Sequence, residues 1–230
     1  MLPRRFHKLR RVLDRRQPDL TVLMEKVNKP HNLSAILRNC DAVGVLEAHA
    51  VAPGGGLALH HETSGGTSKW IEVHRHRDAL SAIRALRERG HQVVAAHPDD
   101  GAVDFRRVDF TSPTAVLLGA ELHGVSEEAR GAADFTVRIP MVGMAGSLNV
   151  SVATALLLYR AYEQREAAGM YDKPSLEPER RDRLLFEWAY PQIARALKAK
   201  GAAYPELGPD GEFLGSLDSL RNDHDQGSRR

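Results

Sequence analysis

The sequence predicts an α/β domain with a mostly parallel sheet flanked by helices, and with helical extensions at its N- and C-terminal ends. Three observations predict it. Short apolar runs at 20–27, 47–52, 92–96, 114–118 and 136–139 alternate with stretches of helical spacing. Helical stretches close on glycine, at Gly44 and Gly90. After Ala167 the alternation stops, and Pro174, Pro178, Pro191 and Pro205 punctuate the remainder. The expected organisation is a basic helical extension at 1–19, a catalytic domain at 20–168, a second helical extension at 169–207 and a disordered tail at 208–230.

The chain begins with a helix over 4–16. Phe6, Leu9, Val12 and Leu13 form its apolar stripe, and Arg4, Lys8, Arg11 and Arg15 lie together on another face. Those bases stand against one acid in this stretch, Asp14, which suits an anionic polymer such as RNA; the alternative is a solvated surface helix. The strand at 20–27 stops at Lys29-Pro30. Asn32 is placed to cap a helix over 33–43, which carries Arg38 and Cys40, and a strand at 47–52 completes a βαβ unit. Gly54-Gly55-Gly56 lacks the frame of a phosphate loop and reads as a turn. The loop at 62–67 has no assigned role. A helix over 78–89 sets Leu80, Ile83 and Leu86 at core spacing. Residues 99–109 read as a polar connection, and Ser126 caps a short helix carrying Glu127 and Glu128.

The organising stretch is 139–160. Pro140 stops a strand, Gly143 and Gly146 permit turns and close approach, and Ser147 is placed to cap a long helix. That helix is expected to turn Val152, Ala155, Leu156 and Tyr159 inward. Beyond it, a helix at 179–190 buries Leu184, Leu185 and Trp188, and a basic helix follows at 193–200.

Hydrophobic content of 42% supports a sizeable core, and charged content of 27% is ordinary for a soluble protein. The single cysteine, Cys40, excludes an internal disulfide and argues against a cysteine-ligated metal. No apolar leader and no run of membrane-spanning length is present, so a cytoplasmic protein with no membrane partner is expected. No metal site is expected either. His60, His61, His74 and His76 are scattered, and although His74 and His76 share a strand face, no third or fourth ligand stands out.

Ligands of parallel sheets sit beyond the carboxyl ends of the strands. Three stretches gather there: 32–38, 118–124 and 140–149, offering Asn32, Arg38, Glu121, Ser147, Asn149 and glycine-rich backbone. No GxSxG elbow, Walker lysine or dinucleotide fingerprint occurs. A glycine-rich pocket with one arginine suits a nucleoside-type ligand beside a phosphate-bearing substrate.

Three motifs sharpen this. They are Asn32-Leu-Ser-Ala-Ile-Leu-Arg38, Leu-Leu-Gly119-Ala-Glu121-Leu-His-Gly124, and Ile-Pro140-Met-Val-Gly-Met-Ala-Gly-Ser147-Leu-Asn149-Val-Ser-Val. In order and separation they resemble those of the SpoU (SPOUT-class) RNA ribose methyltransferases. The likeness runs from Arg4 to Tyr190, and the flanking extensions resemble the branch that modifies guanosine 18 in the D-loop of tRNA. The resemblance implies a C-terminal trefoil knot and S-adenosyl-L-methionine held at Leu118, Gly119, Ile139, Met141 and Leu148. It implies a homodimer with active sites at the interface, Asn32 and Arg38 completing the partner's site.

Arg38 is then the catalytic arginine. Either it binds the RNA phosphate in a network that accepts the 2′-hydroxyl proton, or it positions the phosphate and stabilises charge, since a guanidinium stays protonated. Asn32 orients Arg38 or the phosphate, and Glu121, Ser147 and Asn149 hold the pocket and ribose. For Glu121 and Asn149 the alternative is satisfaction of loop N–H groups. Cys40 has no catalytic role. The tRNA body falls to Arg4, Lys8, Arg11 and Arg15 with the C-terminal helices. Two other functions stay open: 2′-O-methylation of another tRNA or rRNA nucleotide, and a non-catalytic RNA-binding protein of the same fold.

Overall fold

The computed structural model describes residues 1–52, 69–120 and 123–214. Expectations for 54–56, His60, His61, 62–67, Glu121 and the chain from 215 lie outside the described residues. The chain divides into two compact units: Arg16–Lys173, and Met1–Arg15 together with the chain from Pro174 onward.

The larger unit is a seven-stranded sheet of β1 (Leu20–Glu25), β2 (Glu47–Val51), β3 (Glu72–His76), β4 (Gln92–Ala96), β5 (Val103–Asp104), β6 (Thr114–Leu118) and β7 (Phe135–Arg138). The order is β3-β2-β1-β6-β4-β7-β5, and every pairing is parallel. Parallel strands covered on both faces read as continuous apolar runs, and β1 and β6 are buried at every position. Successive residues alternate between two cores. Val22, Met24, Val116 and Leu118 pack with α2 (Pro30–Ala42) and α5 (Val150–Ala167). Leu23, Ala115 and Leu117 pack with α3 (Ala79–Glu88) and α4 (Glu127–Ala132). The connection at 99–109 contains the edge strand β5 and a 3₁₀ turn at Phe105–Arg107.

Three side-chain expectations change. Asn32 lies inside α2, whose N-cap is Lys29 followed by Pro30, a residue pre-set for a first helical turn. Leu80 is exposed, and α3 buries Ala79, Ala82, Ile83 and Leu86 instead. In α5 the N-cap is Asn149 rather than Ser147, and Val152, Leu156 and Tyr159 point outward. Thr154, Leu157, Leu158, Ala161 and Arg165 face in. Its charged residues, Arg160, Glu163, Arg165 and Glu166, are spread around the helix, so spacing alone does not select a face. Burial of Arg165 does: its guanidinium bonds Asp19, Gln17 and the carbonyls of Phe110 and Ser112.

In the smaller unit α1 (Pro3–Asp14) packs against α6 (Pro178–Ala189), and α7 (Pro191–Ala199) packs on α6. Phe6, Leu9 and Leu13 are buried, while Val12 is exposed. Arg181 bonds Asp14 at 2.6 Å. Within the stretch from 208 that is expected to be a tail, the Tyr190 hydroxyl donates to the Gly211 carbonyl, and His7 pairs with Asp210. No helix among the described residues is long and apolar enough to cross a membrane.

Candidate active site

A cavity of about 360 Å³ opens beyond the carboxyl ends of β6, β4 and β7. It falls within the usual size range for small-molecule sites. Its walls come from three loops. The first follows β6 and brings Leu118, Gly119, Ala120, His123 and Gly124; the second follows β7 and brings Ile139, Met141, Gly146, Ser147, Leu148 and Asn149; the third follows β4 and brings His97 and Pro98.

Gly119 is the tightest point. A Cβ there would lie 1.9 Å from the Gly124 carbonyl carbon, so only glycine lets the two arms of this loop approach so closely. Ala120 and Gly124 exchange backbone hydrogen bonds, and Gly124 has φ 64. The buried Glu25 carboxylate, at the end of β1, anchors this loop from behind. It accepts from the Ser126 N–H at 2.9 Å and the Ser126 hydroxyl at 2.7 Å, and Ser126 in turn caps α4.

On the opposite wall Asn149 is engaged at both side-chain polar atoms. Its Oδ1 accepts from the Ser151 N–H and hydroxyl, and its Nδ2 donates to Asn32 Oδ1 at 3.1 Å. Asn39 adds a second tie between α2 and α5 by donating to the Ser151 carbonyl at 2.8 Å. Asn32 is 2% exposed while Asn149 is exposed, so the bond ties buried structure to the site wall.

All five expected cofactor positions line the cavity, together with Ser147 and Asn149. Asn32 reaches it through Asn149 of its own chain. Arg38 does not: it is exposed on α2 and outside the lining. Arg4, Lys8, Arg11 and Arg15 are all exposed in the smaller unit. Cys40 is fully buried, and desolvation pushes its thiol up to about 12.

Sequence reasoning missed Lys29, His97, His123 and Glu25. The first three are the ionisable residues among the described lining. The Nδ1 of His97 is buried without a hydrogen-bond partner. Its place, one residue past β4, is where parallel sheets present ligand contacts, and Glu25 is a charge ending an otherwise apolar strand; both signals were readable.

A parallel α/β unit with a glycine-pinched cavity on its carboxyl edge and polar groups from three loops has the geometry of a small-molecule site. Residues 19–159 match the SpoU rRNA Methylase family and residues 163–216 match its C-terminal family, SpoU, rRNA methylase, C-terminal; the chain belongs to the SpoU methylases. It is 58% identical over 184 residues to the tRNA (guanosine(18)-2′-O)-methyltransferase of Thermus thermophilus, covering 80% of this chain and 95% of the relative. The Escherichia coli enzyme of the same name is 48% identical over 220 residues, covering 95% and 96%. The crystal structure of the Aquifex aeolicus TrmH/SpoU tRNA modifying enzyme superposes with a TM-score of 0.78 at 43% identity, covering 83% of this chain and 97% of that one. An AdoMet-bound rRNA methyltransferase from Sinorhizobium meliloti follows at TM-score 0.59 and 30% identity, covering 69% and 60%.

Proposed function

We propose that this protein methylates the ribose 2′-oxygen of guanosine 18 in the D-loop of tRNA, in the cytoplasm, with S-adenosyl-L-methionine as methyl donor. The observation that carries the reading is the convergence of the 118–124 and 139–149 stretches on one cavity of about 360 Å³. Relatives named for this reaction over nearly the whole chain support the substrate.

The cavity fits the cofactor. Gly119 and Gly124 bring backbone to its floor, Leu118, Ile139, Met141 and Leu148 offer apolar contact, and the orphaned His97 Nδ1 can take a polar partner. When bound, S-adenosylmethionine supplies an electrophilic methyl group. Leu148, Ser147 and Asn149 border the face on which the ribose is held. The Oδ1 of Asn149 is committed to the α5 cap and one Nδ2 hydrogen to Asn32, which leaves its second Nδ2 hydrogen for the substrate. We assign Glu121, with Ser147 and Asn149, to holding the pocket and the ribose.

Arg38 acts on the RNA. Its guanidinium grips a phosphate next to the target ribose, draws that phosphate and the 2′-hydroxyl into one hydrogen-bonded network, and offsets negative charge as the hydroxyl proton leaves. The guanidinium itself is no base. Because Arg38 is exposed and outside its own chain's cavity, we assign it to the site of a second copy in a homodimer. Val152, Leu156 and Tyr159 form an exposed apolar stripe at i, i+4, i+7 along α5, with Val142 and Met144 exposed on the preceding loop, and these suit that contact. The trefoil knot belongs to the same reading, supported by β7 returning between β4 and β5 and by the 139–149 loop folding back over the cavity. Arg4, Lys8, Arg11 and Arg15 hold the tRNA through its phosphates.

The test is methyl transfer from labelled S-adenosylmethionine to an unmodified tRNA transcript, with the product nucleoside mapped. Ribose-methylated guanosine at position 18 is the expected product. Methylation elsewhere would replace the substrate, and tRNA binding without transfer would favour a non-catalytic RNA-binding protein.

A further inference from the structure

A second cluster sits at the opposite side of the sheet. Strand β3 is the sheet edge, and β2 and β1 separate it from β6 and the cavity. Parallel register places Glu47 opposite Glu72, His49 opposite His74 and Val51 opposite His76. Alternation turns all six side chains to one face, the one on which Val51 packs with Ala79 and Ile83 of α3. Glu47 and Glu72 are the first residues of their strands, so the cluster also lies at the end of the strands away from the cavity.

Its centre is the Nε2 of His74. This nitrogen is 3.5 Å from Glu47 Oε2 and 3.7 Å from Glu72 Oε1. Both separations exceed a good hydrogen bond. The atom is buried and has no hydrogen-bond partner. The three ligand atoms lie within 4.8 Å of one another. Two ligands on a tetrahedral zinc ion, each about 2.0–2.1 Å from it, stand about 3.4 Å apart. The two gaps to His74 therefore need only a small closure around an ion, with the carboxylates drawn together from a separation of at most 4.8 Å.

The surroundings hold the set in place. The His49 ring stacks on His74 with centroids 5.0 Å apart and planes at 25°, and His49 Nδ1 bonds His76 Nε2 at 2.9 Å. Arg89 donates to Glu47 Oε2 at 2.8 Å. A carboxylate has about four lone-pair sites, so this bond leaves Glu47 able to ligate as well.

We infer that Glu47, Glu72 and His74 form a binding site for a divalent cation of the zinc class, stapling the edge strand β3 to β2. One imidazole and two carboxylates, with water in the fourth position, are a donor set that zinc accepts. The site is remote from the cavity, so its role is structural.

The full-length protein, stripped with a chelator, is titrated with Zn²⁺ by calorimetry and followed by thermal unfolding with and without the ion. One equivalent bound and a raised Tm are expected, since an ion that binds the folded state stabilises it. His74→Asn and Glu72→Gln should each weaken binding at least tenfold while keeping the far-ultraviolet circular dichroism of the parent and its methyl transfer in metal-free buffer. Absence of both heat and Tm shift overturns the site. So does unchanged affinity in the two variants, which would place zinc on other histidines.

Discussion

The cavity unit, Arg16–Lys173, and the helical unit achieve order by different means. In the cavity unit the decisive contacts are close backbone approaches and buried polar bonds: Gly119 against Gly124, Glu25 on Ser126, Asn32 on Asn149, Arg165 on Asp19. In the helical unit they are aromatic side chains. Phe186 stacks on Tyr204 at 4.6 Å and 13°, and Tyr190 meets Phe213 at 4.6 Å. Close backbone approaches fix atoms to within tenths of an ångström, which a reacting centre requires. Aromatic packing tolerates more change and leaves the outer helix faces free to carry charge. Chemistry and substrate-holding should therefore fail separately.

The largest effect expected on this division is at Arg38. Arg38→Ala should cut methyl transfer by about a hundred- to a thousand-fold, the scale of a lost charge-stabilising group. Calorimetry should find S-adenosylmethionine affinity nearly unchanged, because Arg38 is outside the cavity lining. Equal loss of both would remove its assigned role.

Gly119→Ala comes next. A Cβ 1.9 Å from the Gly124 backbone cannot be accommodated without moving one arm of the loop. Overpacking of this kind costs about 1–3 kcal/mol, and cofactor affinity should fall with it while tRNA affinity persists. A parent-like dissociation constant would show that the loop is not rigid.

On the helical side, deleting α1 would also remove the buried Phe6, Leu9 and Leu13, so charge substitution is the cleaner probe. The triple variant Arg4→Ala, Lys8→Ala, Arg11→Ala should lower the slope of log affinity against log salt by roughly 2–3. Its kcat at saturating tRNA should match the parent. An unchanged slope would take these residues out of the RNA contact.

The smallest effect is at Cys40. With burial holding its thiol at about 12, a thiol reagent at pH 8 should leave the native protein almost unmodified and react fully after unfolding. Rapid native labelling would mean that α2 opens readily.

Strand positions were largely legible in the sequence. Residues 92–96 and 114–118 form β4 and β6 at the expected bounds, because buried parallel strands are apolar runs with sharp ends. Of the three motifs, those at 118–124 and 139–149 meet at the cavity as their place after strands requires, while 32–38 lies on α2 outside the lining. What could not be read was anything settled by register or by a choice of face. The exposed side of α5 is one case. The approach of Glu47 to Glu72 and His74 is another: it depends on how β3 pairs with β2, which no local pattern contains. The pairing of α1 with α6 was equally invisible, since neither stretch names its partner.

That last pairing shapes how the chain is made. The segment of α1 leaves the ribosome before that of α6, so Phe6, Leu9 and Leu13 wait for Pro178–Ala189. At about 5–20 residues per second, roughly 10–30 s of translation separate the two. Until α6 emerges, those apolar residues lack the helix that covers them, and a 12-residue segment is only marginally helical by itself. A helix made before the cavity unit thus depends on one made after it.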